Sequence, residues 1–196
     1  MSSPSVDPRP DAGGADARRL LDVARASIRS GLERGRPLRP DPLAYPAPLR
    51  ELRASFVTLH LEAELRGCVG GLEPVRPLVT DVAEHAFAAA FRDPRFPPLA
   101  AAELAQLEVH VSVLSLLEPL AFVSEEDLLA KLRPGVDGLL LEAGGRRGTF
   151  LPAVWEQLPE PREFLRHLKR KAGLAPDFWS DALEVRRYTV ESVGEA

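Results

Sequence analysis

The chain has 196 residues, 45% hydrophobic and 28% charged, the make-up of an ordinary globular protein. A net charge of −4 and a pI of about 5.7 supply no positive field to recruit nucleic acid or an anionic membrane. The single cysteine excludes an internal disulfide and a cysteine-only metal cage, and it fits a reducing compartment such as the cytoplasm.

Residues 1–14, rich in Ser, Pro, Asp, Gly and Ala, read as a disordered leader without the apolar core of a signal peptide. No later window holds the roughly 18 uninterrupted apolar residues of a spanning helix. A helix is expected from Asp16, a suitable N-cap, with Leu20, Leu21, Ala24, Ile28 and Leu32 as its apolar stripe and Gly35 as its stop. Five prolines between Arg36 and Pro48 predict an extended surface connection. Ser55 to Leu61 alternates as a strand, with Val57, Leu59 and Leu61 on one face and Phe56, Thr58 and His60 on the other. Glu62-Ala63-Glu64 turns the chain into a second strand, Leu65 to Gly70.

From Pro77 to Arg92 the period becomes helical, with Leu78, Val82, Ala86 and Ala90 inward and Asp81, Glu84 and His85 towards the polar side. Phe91 to Leu99 is a proline-stiffened loop, and Leu107 to Val113 alternates as a strand. Ser124 and Asp127 form a capping pair for a short helix ending near Leu132. Leu139 to Glu142 and Gly148 to Leu151 flank a Gly-Gly hairpin turn. Pro161 and Gly173 bracket a basic amphipathic helix, and Leu183 to Val193 reads as one closing strand. Hairpins among helices predict an α+β fold, an antiparallel sheet flanked by helices.

Chemistry concentrates at Leu65-Arg66-Gly67-Cys68-Val69-Gly70. Glycines on both sides of Cys68 permit a sharp turn or a close approach, and Arg66 nearby would favour the thiolate and make it nucleophilic. The opposing reading is a small buried side chain on a strand. The loop Arg92-Asp93-Pro94-Arg95-Phe96 offers two guanidinium groups, a carboxylate and a ring. These suit an anionic or planar ligand, or an internal Arg–Asp clamp that fixes the loop. His60 and His110 would converge with Cys68 if their strands are neighbours. None of the four histidines has a histidine partner at i+4, so no metal site is expected. No phosphate-binding loop, dinucleotide fingerprint or Gly-x-Ser-x-Gly elbow is present, and no cofactor is expected. The basic run from Arg162 to Lys171 reads as a solvated helix face rather than an RNA contact.

Leu65 to Gly70 resembles the Leu-Arg-Gly-Cys-Ile-Gly signature of the AMMECR domain family, with Val69 in place of Ile. The resemblance continues through Ala90 to Leu99, Leu107 to Leu114, Pro134 to Leu139 and Gly148 to Pro152, and covers roughly residues 16 to 191. It implies a single domain over residues 15–193, made of two unequal lobes with a cleft between them and the signature near that cleft. In microbes the resemblance implies component A of the AmmeMemoRadiSam system, beside a Memo-like protein and a radical SAM enzyme. The family's activity is unsettled. The expected function is therefore a component of such a modification system, binding a small molecule or peptide at the signature. Cys68 and Arg66 are its candidate catalytic residues, and Gly67, Val69, Gly70, Arg92, Asp93, Arg95 and Phe96 its ligand-binding ones. The alternative is a non-enzymatic docking module for the same partners.

Overall fold

The computed structural model describes residues 14–195, so all but Gly14 of the leader expected at residues 1–14 lies outside it. The described chain is α+β, with five α-helices and two four-stranded sheets. It divides into two compact units of unequal size, residues 14–113 with 191–195 and residues 114–190. No helix among the described residues is long and apolar enough to cross a membrane.

In the larger unit, helix α1 (Ala15–Arg34) and helix α3 (Leu78–Phe91) accompany strands β1 (Ser55–Leu61), β2 (Glu64–Gly70) and β3 (Leu107–Leu114). Strand β8 (Val190–Gly194) completes a sheet of order β2-β1-β3-β8. Val57 and Leu59 of β1 and Val109 and Val111 of β3 are fully buried in one core with Ala24 and Ile28 of α1 and Val82 and Ala86 of α3. The alternation of β1 and β3 thus puts one sheet face into the core and leaves the other half-buried. The β1–β2 turn is two residues, Glu62 and Ala63, both at positive φ (52° and 66°), as a type I′ hairpin requires.

The smaller unit carries the sheet β4-β7-β5-β6, made of β4 (Glu118–Pro119), β7 (Glu184–Tyr188), β5 (Gly138–Ala143) and β6 (Arg146–Phe150). Helices α4 (Glu125–Lys131) and α5 (Pro161–Lys171) pack there, with Leu128, Phe164, Leu165 and Leu168 in a core shared with Leu139, Leu141 and Val185. Ser124 caps α4 as expected, its hydroxyl accepting the Asp127 N–H at 3.1 Å.

Several expectations change. The N-cap of α1 is Gly14, and Asp16 instead lies in the first turn, bound to Arg19. The proline-rich connection is interrupted by a 3-10 turn at Pro42–Ala44 and a single helical turn, α2 (Ala47–Arg50), because proline is well tolerated at a first helical position. The closing segment is two strands in different sheets, since Tyr188 is buried against β6 and the chain leaves that sheet before Val190. Lys169 of the basic helix is fully buried and pairs with Glu125 at 3.1 Å, so it is not part of a solvated face.

Candidate functional site

β2 is an edge strand, and its pairing with β1 contains a bulge. Leu59 faces Gly67, but His60 faces Leu65, so Arg66 is an extra residue with no partner on β1. The bulge sets the faces of the signature. Gly67 turns towards the core, where an added Cβ would lie 2.2 Å from the Ala89 carbonyl oxygen of α3, so only glycine fits. Val69 packs against the same core. Cys68 and Gly70 turn to the half-buried face, and the space a Gly70 Cβ would need is filled by the Phe56 ring.

The Cys68 thiol is half-buried and lies 3.1 Å from the Thr58 hydroxyl. Its backbone is held from the loop that follows α3. Asp93 Oδ2 accepts the Cys68 N–H at 2.9 Å, and the Arg95 guanidinium donates to the Cys68 carbonyl at 3.3 Å. Asp93 and Arg95 are themselves joined by bonds of 2.9 and 2.6 Å. One ion pair therefore occupies both outward backbone groups of an edge-strand residue, which blunts the edge. Asp93 is buried, whereas the Arg95 side chain is 52% exposed. The Arg95 bonds hold the Asp93 carboxyl well below the usual carboxylate range against the cost of its burial, and the Cys68 N–H adds to this. The same pair raises Arg95.

Arg66 does not stand beside the thiol as a free charge. It is buried, donates to Glu103 at 2.7 and 3.2 Å and to the Pro97 carbonyl at 3.0 Å, and lies 5.9 Å from the Phe96 ring centroid. Glu103 is held below its ordinary value, first by Arg66 and then by the Ala100 N–H. Arg95 also lies over Phe96, at 5.4 Å, while the exposed Arg92 stacks on Phe87 at 4.9 Å. The structure thus gathers Arg66, Cys68, Asp93, Arg95 and Phe96 around one strand edge. It turns Gly67 and Val69 inward and leaves Arg92 on its own helix end.

Three of the four histidines lie at this sheet and divide between its two faces, while His167 is on α5 of the smaller unit. Thr58 pairs with Cys68 on one side and His110 on the other, so those three form one row across β2, β1 and β3. His60 shares that face and meets the His110 ring edge-on at 5.0 Å. His85 sits on the opposite face with Ser55. Asp81, expected on a polar side, is buried because it caps β1: it accepts the Ser55 N–H and hydroxyl and pairs with Arg76 and His85. Thr58 and Glu103 are site neighbours that sequence reasoning missed. A polar residue amid the apolar alternation of β1 was the only signal for the first, and none pointed to the second.

The geometry matches a recognised group. The AMMECR1 family model covers residues 21–193. A protein of Methanothermobacter thermautotrophicus is 42% identical over 179 residues, 90% of this chain and 92% of that one. One of Thermotoga maritima is 41% identical over 160 residues, 80% and 86% of the two chains. The crystal structure of an uncharacterized protein from Pyrococcus horikoshii superposes with a TM-score of 0.79 at 36% identity, covering 88% of each chain. With its signature strand, its clamping loop and nearly its full length matched, the chain belongs to the AMMECR1 family.

Proposed function

We propose that this chain is a binding component of a multi-protein modification system, acting in the cytoplasm with a Memo-like protein and a radical SAM enzyme. Its recognition surface is the β2 edge with residues 92–96, and its ligand is a small molecule or a peptide tail. The observation that carries this reading is the Asp93–Arg95 pair, which fixes Cys68 through its backbone and leaves a half-exposed guanidinium beside the Phe96 ring. Such a pair presents a planar donor and an aromatic face at a rigid position, which suits a carboxylate or a planar group. The engagement of Arg66 by Glu103 favours Cys68 as part of this surface over Cys68 as a nucleophile.

The test is reconstitution with the Memo-like and radical SAM proteins of the same genome. Phe96→Ala and Arg95→Ala are expected to weaken assembly or ligand binding about tenfold, and Cys68→Ala to leave it intact. Full binding by folded Phe96→Ala and Arg95→Ala proteins would sink the reading. Binding retained but turnover abolished in Cys68→Ser would move the chemistry onto the thiol.

A further inference from the structure

In the smaller unit, a groove of about 800 Å³ runs between residues 117–123 and residues 179–186. That is the size of a ligand site, and the signature strand contributes nothing to its lining. Its centre is aromatic. Trp179 is 36% exposed and tilts at 59° to Phe122, with ring centroids 5.6 Å apart. The buried Lys169 ammonium, held by Glu125, lies 5.8 Å from the Trp179 ring and braces it. The other tryptophan, Trp155, is buried and donates its indole N–H to the Asp137 carbonyl at 2.7 Å. Among the described residues, no acceptor takes the Trp179 indole N–H.

The rim is charged unevenly. Glu184 has Arg186 at 3.6 Å, and Arg186 also reaches Glu142 at 3.4 Å. Asp181 enters no ion pair among the described residues and is exposed. The groove therefore offers an aromatic notch, a free N–H donor and one uncompensated carboxylate.

Three modes of peptide capture can be compared with that inventory. Strand addition needs an open edge with free donors, yet β7 is covered by Glu118 and Pro119, Val185 accepts the Leu120 N–H at 2.9 Å, and the outer strand β4 is two residues long with no N–H on Pro119. A docked helix needs a continuous apolar trough, and here Ser180, Asp181, Glu184 and Arg186 interrupt it. A polyproline II segment needs aromatic walls, a donor for its solvated carbonyls and little else. We propose that this groove docks a proline-rich peptide segment of a partner protein, with a basic residue of that segment meeting Asp181. This proposal is independent of the reading of the Cys68 site.

The experiment uses the full chain labelled with ¹⁵N and two synthetic heptapeptides, RPLPPLP and EPLPPLP, capped at both ends. The two indole cross-peaks are assigned with Trp179→Phe. The RPLPPLP peptide is expected to move the Trp179 peak saturably with a Kd below about 1 mM, while the Trp155 peak stays in place. Asp181→Asn is expected to weaken that binding about threefold and to leave EPLPPLP unchanged. The exposed Asp181 keeps the substitution from disturbing the fold, which an unmoved Trp155 peak verifies. A Trp179 peak indifferent to both peptides overturns the proposal, as does equal binding of both peptides. A peak that moves with protein concentration alone assigns the groove to a second copy and overturns it too.

Discussion

The Asp93 carboxylate and the Cys68 backbone are joined across 25 positions of sequence, with Oδ2 accepting the Cys68 N–H at 2.9 Å. Because Arg95 ties the same carboxylate to the Cys68 carbonyl, the loop after α3 takes the place of a fifth strand at the β2 edge of the four-stranded sheet. Asp93→Asn removes the charge from this junction and is expected to cost about 2 kcal/mol in urea unfolding. The Cys68 amide should also exchange with solvent faster. Since the folded Asp93 is depressed, its contribution is present above its ordinary value of 3.8 and is lost as pH falls below that value. The acid limb of the wild-type stability profile should therefore be steeper than that of the variant; coincident limbs would show that the clamp contributes nothing.

Arg66 and Glu103 form the second fixed pair of the site. Arg66→Lys keeps a charge but loses the two-pronged contact, and about 1–2 kcal/mol of stability should go with it. Alkylation of Cys68 by iodoacetamide under native conditions should change by no more than about twofold, because the guanidinium is engaged away from the thiol. A tenfold drop in that rate would restore Arg66 as the activator of Cys68.

Gly67 tests whether the signature glycine serves packing. Its Cβ position is occupied by the Ala89 carbonyl, so Gly67→Ala must separate β2 from α3. A loss of about 3 kcal/mol or more is expected, read as a large fall in Tm or as insoluble protein. A stable Gly67→Ala variant that lost only ligand binding would return Gly67 to the binding residues.

Tyr188 gives the smaller unit an alkaline signature. Burial pushes its hydroxyl up from 10.0 to about 12, against the opposing effect of its bond with Thr149. The group is thus stabilising in its neutral form. That contribution is complete below pH 10 and disappears as pH rises towards 12. Tyr188→Phe should be less stable at neutral pH by about 1 kcal/mol and should lack this part of the alkaline decline. Parallel decline of the two proteins between pH 10 and 12 would contradict the assignment.

Period alone located most elements, since a strand with one wet face must alternate and a helix with one buried stripe must repeat near 3.6. Ser55 to Leu61, Leu107 to Leu114 and the Phe164, Leu165 and Leu168 stripe were legible for that reason. The same logic failed at Asp81. A carboxylate on a helix reads as solvent-facing until a strand terminus, here the Ser55 N–H and hydroxyl, arrives to be capped. It failed again at Leu183 to Val193, where continuous β-propensity concealed a change of sheet.

At the site, the available chemical groups were legible in the chain: one thiol, an aspartate and two arginines on a stiff loop, and glycines on both sides of the thiol. Which way they face depends on strand register. Counting outward from the Glu62-Ala63 turn pairs Thr58 with Gly67 and would send the Cys68 thiol into the core. The bulge at Arg66 shifts the register by one residue, which exchanges the two faces and brings Cys68 opposite Thr58. A one-residue irregularity carries no periodic signal, and its stability comes from Glu103 and Pro97, 37 and 31 positions away in the chain. Local pattern therefore set the inventory, and long-range hydrogen bonding set its orientation.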